Sequence, residues 1–339
     1  MKKVLCFGEI LLRFLPVSGG DWLRHNTMPV FVGGAELNVA TALSIWGVPV
    51  KYLTAMPDNG LSRDIVAYLD QKGIDTSAVS FSGDRLGVYY LSGGSDMKSA
   101  QTVFDRAGSS FSTLPTGQLN WDEILADVSW FHFSAIAPAI SESAAKLCKE
   151  ALEAAAQRNI PISVDLNYRS LLWKYGQSPK EVMPALVDYC QVVMGNIWSA
   201  NTLLGIPVDD SVHPGAGMEQ YLEHATRTAN ELFKRYPRCK WVANTFRFDA
   251  DQQQVTYYAS LNTLKEQAVS PVFQTSSIVD KVGSGDCFMA GLIYGISQDH
   301  SPKQLVGFAA AAAFGKLQEP GDTTKNRVDQ VQQLLDQFS

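Results

Sequence analysis

Apolar and polar positions follow two patterns that alternate along the chain. Short runs of consecutive apolar residues are typical of strands buried on both faces, and longer segments with a helical apolar period are typical of covering helices. Such an alternation of strands and helices favours a mostly parallel sheet with right-handed crossovers and helices on both faces. The predicted strands are 3–7, 50–55, 128–133, 162–166, 192–194 and 241–244, and the predicted helices are 37–46, 62–72, 142–158, 287–296, 302–317 and 328–337.

Two segments, residues 11–30 and 86–111, do not fit this alternation. Both are β-prone, polar and punctuated by glycines, and residues 88–94 with 100–106 are typical of a hairpin. We expect them to form a small sheet over a cleft, the alternative being a surface hairpin without a role. The predicted organisation is a single α/β domain over residues 1–339, with a lid inserted at about 12–30 and 86–110.

The segment Asp280-Lys281-Val282-Gly283-Ser284-Gly285-Asp286 joins a β-branched pair to a predicted helix. Glycines permit a sharp turn close to a ligand, and the first N–H groups of a helix attract anions such as phosphate. A carboxylate at this position repels phosphate, so Asp286 makes better sense as a base for an attacking hydroxyl. The alternative is an ordinary turn followed by an early-helix charge.

A second glycine cluster, Gly33-Gly34-Ala35-Glu36-Leu37-Asn38, precedes another predicted helix. With both clusters in this order, the chain resembles the ribokinase-like carbohydrate kinases, the PfkB family, over essentially its whole length. The resemblance implies a ribokinase-like three-layer sandwich with a mostly parallel central sheet and a small β-sheet lid. It further implies that Asp286 is the catalytic base and that Gly283, Ser284 and Gly285 form an anion hole.

Composition and charge agree with a cytoplasmic enzyme. The 339 residues are 46% hydrophobic, and no segment has the ~18 consecutive apolar residues that a membrane span needs. The N-terminus lacks the apolar core and cleavage site of a signal peptide. The five cysteines are widely spaced, which favours buried thiols over disulfides or a zinc site. The net charge of −6 makes nucleic acid an improbable partner, and a membrane is not expected either.

Arginines near the expected cleft bear on the substrate, because their fork binds both oxygens of a carboxylate. Arg13 stands where many relatives that act on neutral sugars have an acidic residue, and Arg106 and Arg169 follow the hairpin and a strand. The set resembles kinases for 2-keto-3-deoxygluconate, in which residues matching Gly34, Tyr89, Arg106 and Arg169 contact the acidic sugar. Each arginine taken alone is more often a surface salt bridge, and Asp-x-Asn-x-Arg also occurs in fructokinases.

Several positions depart from the family pattern on the nucleotide side. Relatives commonly have Asn-x-x-Glu, whose glutamate organises Mg²⁺, and here Asn196 is followed by Ser199. The loop around Thr245 lacks the usual glycines, and Arg247 offers a cationic contact to phosphate instead. Lys281 precedes the anion hole and is expected to face solvent. The small residues 309–313 either leave room for adenine or pack closely against another helix.

The function that follows is phosphoryl transfer from ATP, with Mg²⁺, to a primary hydroxyl of an acidic sugar, by a homodimer or higher homo-oligomer. Gly33, Gly34, Asn38, Tyr89, Arg106 and Arg169 are expected to bind the sugar, and Asn196, Thr245, Arg247, Gly283 and Gly285 the nucleotide. A fructokinase or other neutral-sugar kinase and a catalytically weak sugar-acid-binding homologue are the alternatives. A dinucleotide oxidoreductase is disfavoured, because no Gly-x-Gly-x-x-Gly follows the first strand.

Overall fold

The structure, a computed structural model, describes residues 2–16, 27–91, 102–209, 212–213, 215–249 and 254–339. Its strands are β1 Lys3–Phe7, β2 Leu11–Phe14, β3 Val30–Gly33, β4 Val50–Met56, β5 Ile74–Asp75, β6 Val79–Phe81, β7 Gly87–Tyr90, β8 Val103–Asp105, β9 Val128–Ser134, β10 Ile162–Asp165, β11 Val192–Gly195, β12 Trp241–Asp249, β13 Val255–Asn262, β14 Gln267–Val269 and β15 Phe273–Thr275. Its α-helices are α1 Ala35–Ile45, α2 Gly60–Gln71, α3 Ser110–Thr113, α4 Trp121–Ile124, α5 Glu142–Gln157, α6 Pro179–Val187, α7 Ile197–Leu204, α8 Met218–Arg235, α9 Ser284–Ser297, α10 Pro302–Lys316 and α11 Val328–Asp336.

The large sheet runs in the order β14-β13-β12-β11-β10-β9-β1-β4-β5, with β15 beside β13 and β6 beside β4. Its strands from β12 to β5 pair in parallel, and β13 to β15 add an antiparallel edge. The predicted α/β class with a mostly parallel sheet is therefore confirmed.

Both faces of the large sheet are buried by helices. Successive side chains of a strand point to opposite faces, so neighbouring residues enter different cores. Along β1, Val4 and Cys6 pack into one apolar core with α1, α9 and α10. Leu5 and Phe7 pack into the second core, with α5 and α6. This arrangement accounts for the continuous apolar runs that the sequence shows, and it brings the carboxyl ends of the parallel strands to one edge.

A small sheet of four strands, in the order β3-β2-β7-β8, lies apart from the large one. β7 and β8 pair antiparallel, with Val88 opposite Asp105, as the hairpin prediction requires. β2 and β7 pair in parallel, which places Arg13 beside Tyr89. Residues 17–26 and 92–101 of the predicted lid lie outside the described residues.

Two predicted boundaries change in ways that affect the site, and the packing of α10 decides between the two interpretations of its alanine run. α9 begins at Ser284 and not at 287, so Asp286 lies in the first helical turn. β12 continues through Asp249 and pairs with β13 along its whole length, so the loop expected around Thr245 is a strand instead. α10 packs tightly on α9, since a Cβ on Gly291 would lie 2.6 Å from Cα of Ala309. The alanine run therefore serves helix packing.

No helix among the described residues is both long and apolar enough to cross a bilayer.

Candidate active site

A cavity of about 370 Å³ lies between the small sheet and the carboxyl edge of the large sheet. Leu11, Tyr89 and Phe104 line it from the small sheet, and Asp165 and Gly195 line it from the ends of β10 and β11. The two glycine clusters of the sequence meet here, as expected for turns at the same edge of a parallel sheet.

Residues 283–285, which we call the anion loop, form one wall of the cavity together with Asp286. Gly283 caps α9 with φ 80°, and a Cβ there would lie 1.9 Å from the carbonyl oxygen of Asp322. Only glycine fits such a left-handed position at such a close approach. The Ser284 hydroxyl donates to the carbonyl of Ala313 at 2.9 Å, which fixes the loop against α10. The open N–H groups of α9 are thus held toward the cavity.

The Asp286 carboxyl is buried beside these N–H groups and is only 7% exposed. Asn38 Nδ2 donates to Asp286 Oδ2 at 2.6 Å, which orients the carboxyl. Burial raises the pKa of Asp286 from 3.8 to about 7, although the Asn38 hydrogen bond and the nearby Arg169 charge act in the opposite direction. A carboxyl that titrates near neutrality suits proton transfer at physiological pH.

Three further acidic residues surround the cavity, and motif reasoning assigned none of them a role. Glu36 Oε1 accepts from the backbone N–H of Ser134 at 2.9 Å, and burial raises the pKa of Glu36. Burial, with the charge of Asp286, also raises the pKa of Asp165 well above its usual value. Glu9 lies two residues after the end of β1. Its position at the carboxyl end of a predicted strand was the signal that could have identified it.

The three arginines of the sequence analysis have different surroundings. Arg169 lines the cavity, and its charge acts on both Asp165 and Asp286. Arg106 also lines it, but its Nε donates to Glu9 Oε2 at 2.7 Å and its Nη2 contacts the same oxygen. A carboxylate of the protein therefore already balances the charge of Arg106.

Arg13 requires a correction, because it is not among the described residues that line the cavity. The side chain is 1% exposed, and its guanidinium lies between the carboxylates of Asp280 and Asp322. The interpretation of Arg13 as a ligand for the substrate carboxylate is wrong. The acidic partners lie more than 260 positions away in the chain and could not be recognised from the sequence.

The predicted sugar ligands reach the cavity with one exception. Gly34, Asn38 and Tyr89 line it. Gly34 has φ 150°, and a Cβ there would lie 2.6 Å from the Glu9 carbonyl oxygen. Gly33 is absent from the described lining, and a Cβ on it would lie 2.6 Å from Asp322 Oδ2, so this glycine permits packing.

The predicted nucleotide ligands Asn196, Thr245 and Arg247 line the same cavity. Asn196 Oδ1 accepts from the Ser199 N–H at 2.8 Å and caps α7, so this oxygen already has a partner. Lys281, expected in solvent, lines the cavity and its Nζ contacts Asp249 Oδ2 at 2.8 Å. The structure corrects that expectation and leaves the ligand roles themselves as predictions.

Comparisons with known proteins agree with this geometry. The model of the pfkB family carbohydrate kinases matches residues 1–329. The chain is 26% identical to a 2-dehydro-3-deoxygalactonokinase of Haloferax volcanii, over 98% of this chain and 96% of that protein. It is 27% identical to fructokinase-1 of Oryza sativa, over 89% and 85%. The crystal structure of a 2-dehydro-3-deoxygluconokinase of Thermotoga maritima superposes with a TM-score of 0.89 at 29% identity, covering 99% of this chain and all of the other.

Proposed function

Because the chain belongs to the pfkB family of carbohydrate kinases and is thus a phosphotransferase with an alcohol acceptor, we propose that its substrate is an acidic sugar of the 2-keto-3-deoxygluconate type. The main support for the proposal is that Asp286, the anion loop and Arg169 line one cavity. Arg169 offers a fork for a carboxylate at the sugar side. The relatives named for 2-keto-3-deoxy sugar acids support the same substrate class.

In the proposed reaction, Asp286 accepts the proton of the primary hydroxyl while the oxygen attacks the γ-phosphorus of ATP. The bond from phosphorus to the β,γ-bridging oxygen breaks, and ADP leaves with that electron pair. Negative charge spreads over the phosphoryl oxygens in the transition state, and the N–H groups of Gly283, Ser284 and Gly285 stabilise it there. Asn38 holds the base in place through its hydrogen bond to Asp286.

A site for Mg²⁺ is supported by the donor set on the nucleotide side of the cavity. Mg²⁺ prefers hard oxygen ligands and retains several waters. Asp165, Ser199 and Asn196 all line the cavity and supply such oxygens. When bound with ATP, the ion would neutralise charge on the phosphates, and Asp165 is the residue we expect to take the place of the missing glutamate at 199.

A neutral-sugar kinase is the second candidate, and one contact favours it. Arg106 is bound by Glu9, so its charge is not free for a substrate carboxylate. Glu9 Oε1 is buried without a hydrogen-bond partner among the described residues, and a sugar hydroxyl would satisfy it. Arg169 still distinguishes the two candidates, because a sugar carboxylate would form an ion pair with its guanidinium that a neutral sugar cannot form.

The small sheet supports the expectation of a homodimer. Its face opposite the cavity carries Phe14 and Tyr90, whose rings stack at 5.3 Å, and the half-exposed Val30 and Val103. An apolar face of this kind is typical of a protein interface. We expect Val103→Glu to convert a dimer into monomers in sedimentation velocity. A wild-type monomer at micromolar concentration would contradict the proposal.

A coupled assay of ADP release tests the substrate. Purified protein with ATP and Mg²⁺ receives 2-keto-3-deoxygluconate, its galacto epimer, fructose or ribose. We expect turnover on the keto acids, abolished by Asp286→Asn and retained by Asp64→Asn, which changes an exposed carboxylate on α2. Turnover on fructose or ribose alone would mean that the substrate is a neutral sugar and not an acidic one. Absence of turnover with all four, together with a keto-acid-dependent rise in Tm, would favour a binding homologue.

A further inference from the structure

A buried charge cluster lies directly beneath the anion loop and outside the cavity. Arg13 Nη2 donates to Asp280 Oδ2 at 2.9 Å, and Arg13 Nε lies 2.7 Å from Asp322 Oδ1. The guanidinium carbon is 4.6 Å from the centre of the Phe31 ring. Lys316, fully buried at the end of α10, has its charge close to both carboxylates. The two cations Arg13 and Lys316 therefore lie among these carboxylates, with Glu319 as a further acidic residue near Lys316.

The Asp280 carboxylate and the Asp322 main chain also contact the backbone that carries the anion loop. Asp280 Oδ1 accepts from the N–H of Val282 at 3.0 Å, and Asp280 Oδ2 accepts from the N–H of Gly321 at 3.3 Å. The carbonyl of Asp322 packs against Gly283, where a Cβ would lie 1.9 Å away. A shift of either residue therefore moves the N–H groups of the loop.

The cluster reaches the sugar side through Tyr89. Its hydroxyl donates to Asp322 Oδ2 at 3.0 Å, and the residue lines the cavity. Arg13 lies beside Tyr89 in the register of β2 and β7. A series of contacts therefore connects the sugar side of the cavity with the anion loop. Tyr89 contacts Asp322, Asp322 contacts Arg13, and Arg13 contacts Asp280, which bonds to the backbone next to the loop.

We propose that Arg13 is a positioning residue for phosphoryl transfer, which joins the small sheet to the anion loop by holding Asp280 and Asp322 in a single fork. The residue does not touch the sugar or the nucleotide. Arginine is required because its planar guanidinium extends its charge in two fixed directions, to Asp280 through a hydrogen bond and to Asp322 through an ion pair. A lysine ammonium is instead a single point of charge on a flexible stem. This inference rests on the kinase function proposed above and does not depend on which sugar is the substrate.

The test distinguishes a displaced anion loop from a destabilised fold. Arg13→Met leaves two buried carboxylates with one cation, so this variant alone is expected to lose thermal stability. Arg13→Met/Asp322→Asn removes one charge of each sign, keeps an oxygen for Tyr89 and should recover most of the Tm. We expect its kcat to stay on the order of 100-fold below wild type, because misplacing catalytic groups by about 1 Å costs this much. The KM for the sugar should change by less than about threefold, because no sugar contact is lost.

Two further variants complete the comparison. Arg13→Lys restores the charge without the fork, and we expect its kcat to remain about tenfold or more below wild type. Lys51→Met is the matched control, since Lys51 is a buried cation that contacts Asp127 at the opposite end of the sheet. It should lower the Tm and leave the kcat of the folded fraction unchanged. A charge-balanced variant with wild-type kcat, or a Lys variant with wild-type kcat, would overturn the proposal.

A measurement without sugar keeps this proposal distinct from the substrate assignment. Calorimetry compares a non-hydrolysable ATP analogue with ADP on the folded variants, both with Mg²⁺. Since the anion loop faces the γ-phosphate, we expect the charge-balanced variant to lose about tenfold in affinity for the analogue and less than about threefold for ADP. If wild type binds the analogue but turns over none of the sugars, the substrate assignment fails alone. If the variant binds the analogue as wild type does, the positioning role fails.

Discussion

Replacing Asp286 by Asn should stabilise the protein while it abolishes phosphoryl transfer. The native fold holds the carboxyl buried with a pKa of about 7, whereas its ordinary value is 3.8. Near neutral pH the folded protein therefore carries an ionised group in a site that favours the neutral form. At about 1.4 kcal/mol for each pH unit, this difference corresponds to up to about 4 kcal/mol of unfolding free energy. An amide has the same shape without the charge, and it still accepts from Asn38.

The effect has a defined dependence on pH. A carboxyl whose folded pKa is raised contributes stability below its unfolded pKa, and that stability is lost as pH rises through the folded pKa. Between pH 3.8 and about 7 the unfolding free energy of the wild type therefore falls relative to that of the Asn variant. Above that range the difference between the two is constant. The expected advantage of Asp286→Asn is about 4 kcal/mol at pH 8.5 and about 2 kcal/mol at pH 5.

Urea unfolding of both proteins at pH 8.5 and pH 5 measures the difference, with thermal unfolding as a second probe. Asp64→Asn is the control, and its stability should follow wild type at both pH values. An Asp286→Asn variant that is less stable than wild type at pH 8.5, or whose advantage does not shrink at pH 5, would refute the reasoning. Either result would mean that burial does not raise the pKa of this carboxyl in the folded protein.

Three further predictions follow from the cavity. With the keto acid as substrate, kcat/KM should fall about tenfold for each pH unit below the Asp286 pKa of about 7, and a profile flat from pH 8 to pH 5 would exclude Asp286 as the base. Arg169→Met should raise the KM for the keto acid about 10- to 100-fold, since a hydrogen bond to a charged group contributes about 1.5–3 kcal/mol, and an unchanged KM in steady-state kinetics would remove Arg169 from the sugar site. Ser199→Glu should lower the Mg²⁺ concentration for half-maximal rate about tenfold in a metal titration, with Asp64→Asn as the control, because it restores an acidic group near the metal's water shell. No change in the Ser199 variant would exclude position 199 from the metal's water shell.

Features that depend on residues adjacent in the chain could be predicted from the sequence. The strands of the large sheet read as apolar runs because helices cover both of its faces, so each residue of β1 is buried on one side or the other. The anion loop is likewise local, since glycines and the start of α9 adjoin each other in the chain. The alternation of elements then brings the loops to one edge of the sheet. Fold class and the position of the cavity accordingly follow from the sequence.

The state of each charged side chain depends on partners that are distant in the chain. Arg13 and Arg106 carry the same group near the same cleft, and the sequence could not tell which would face the substrate. Asp280 and Asp322 bind the first, and Glu9 binds the second. The pKa of Asp286 likewise depends on burial and on Asn38 from a different helix. Electrostatic interactions act between groups that are close in space, and only the tertiary structure decides which groups these are.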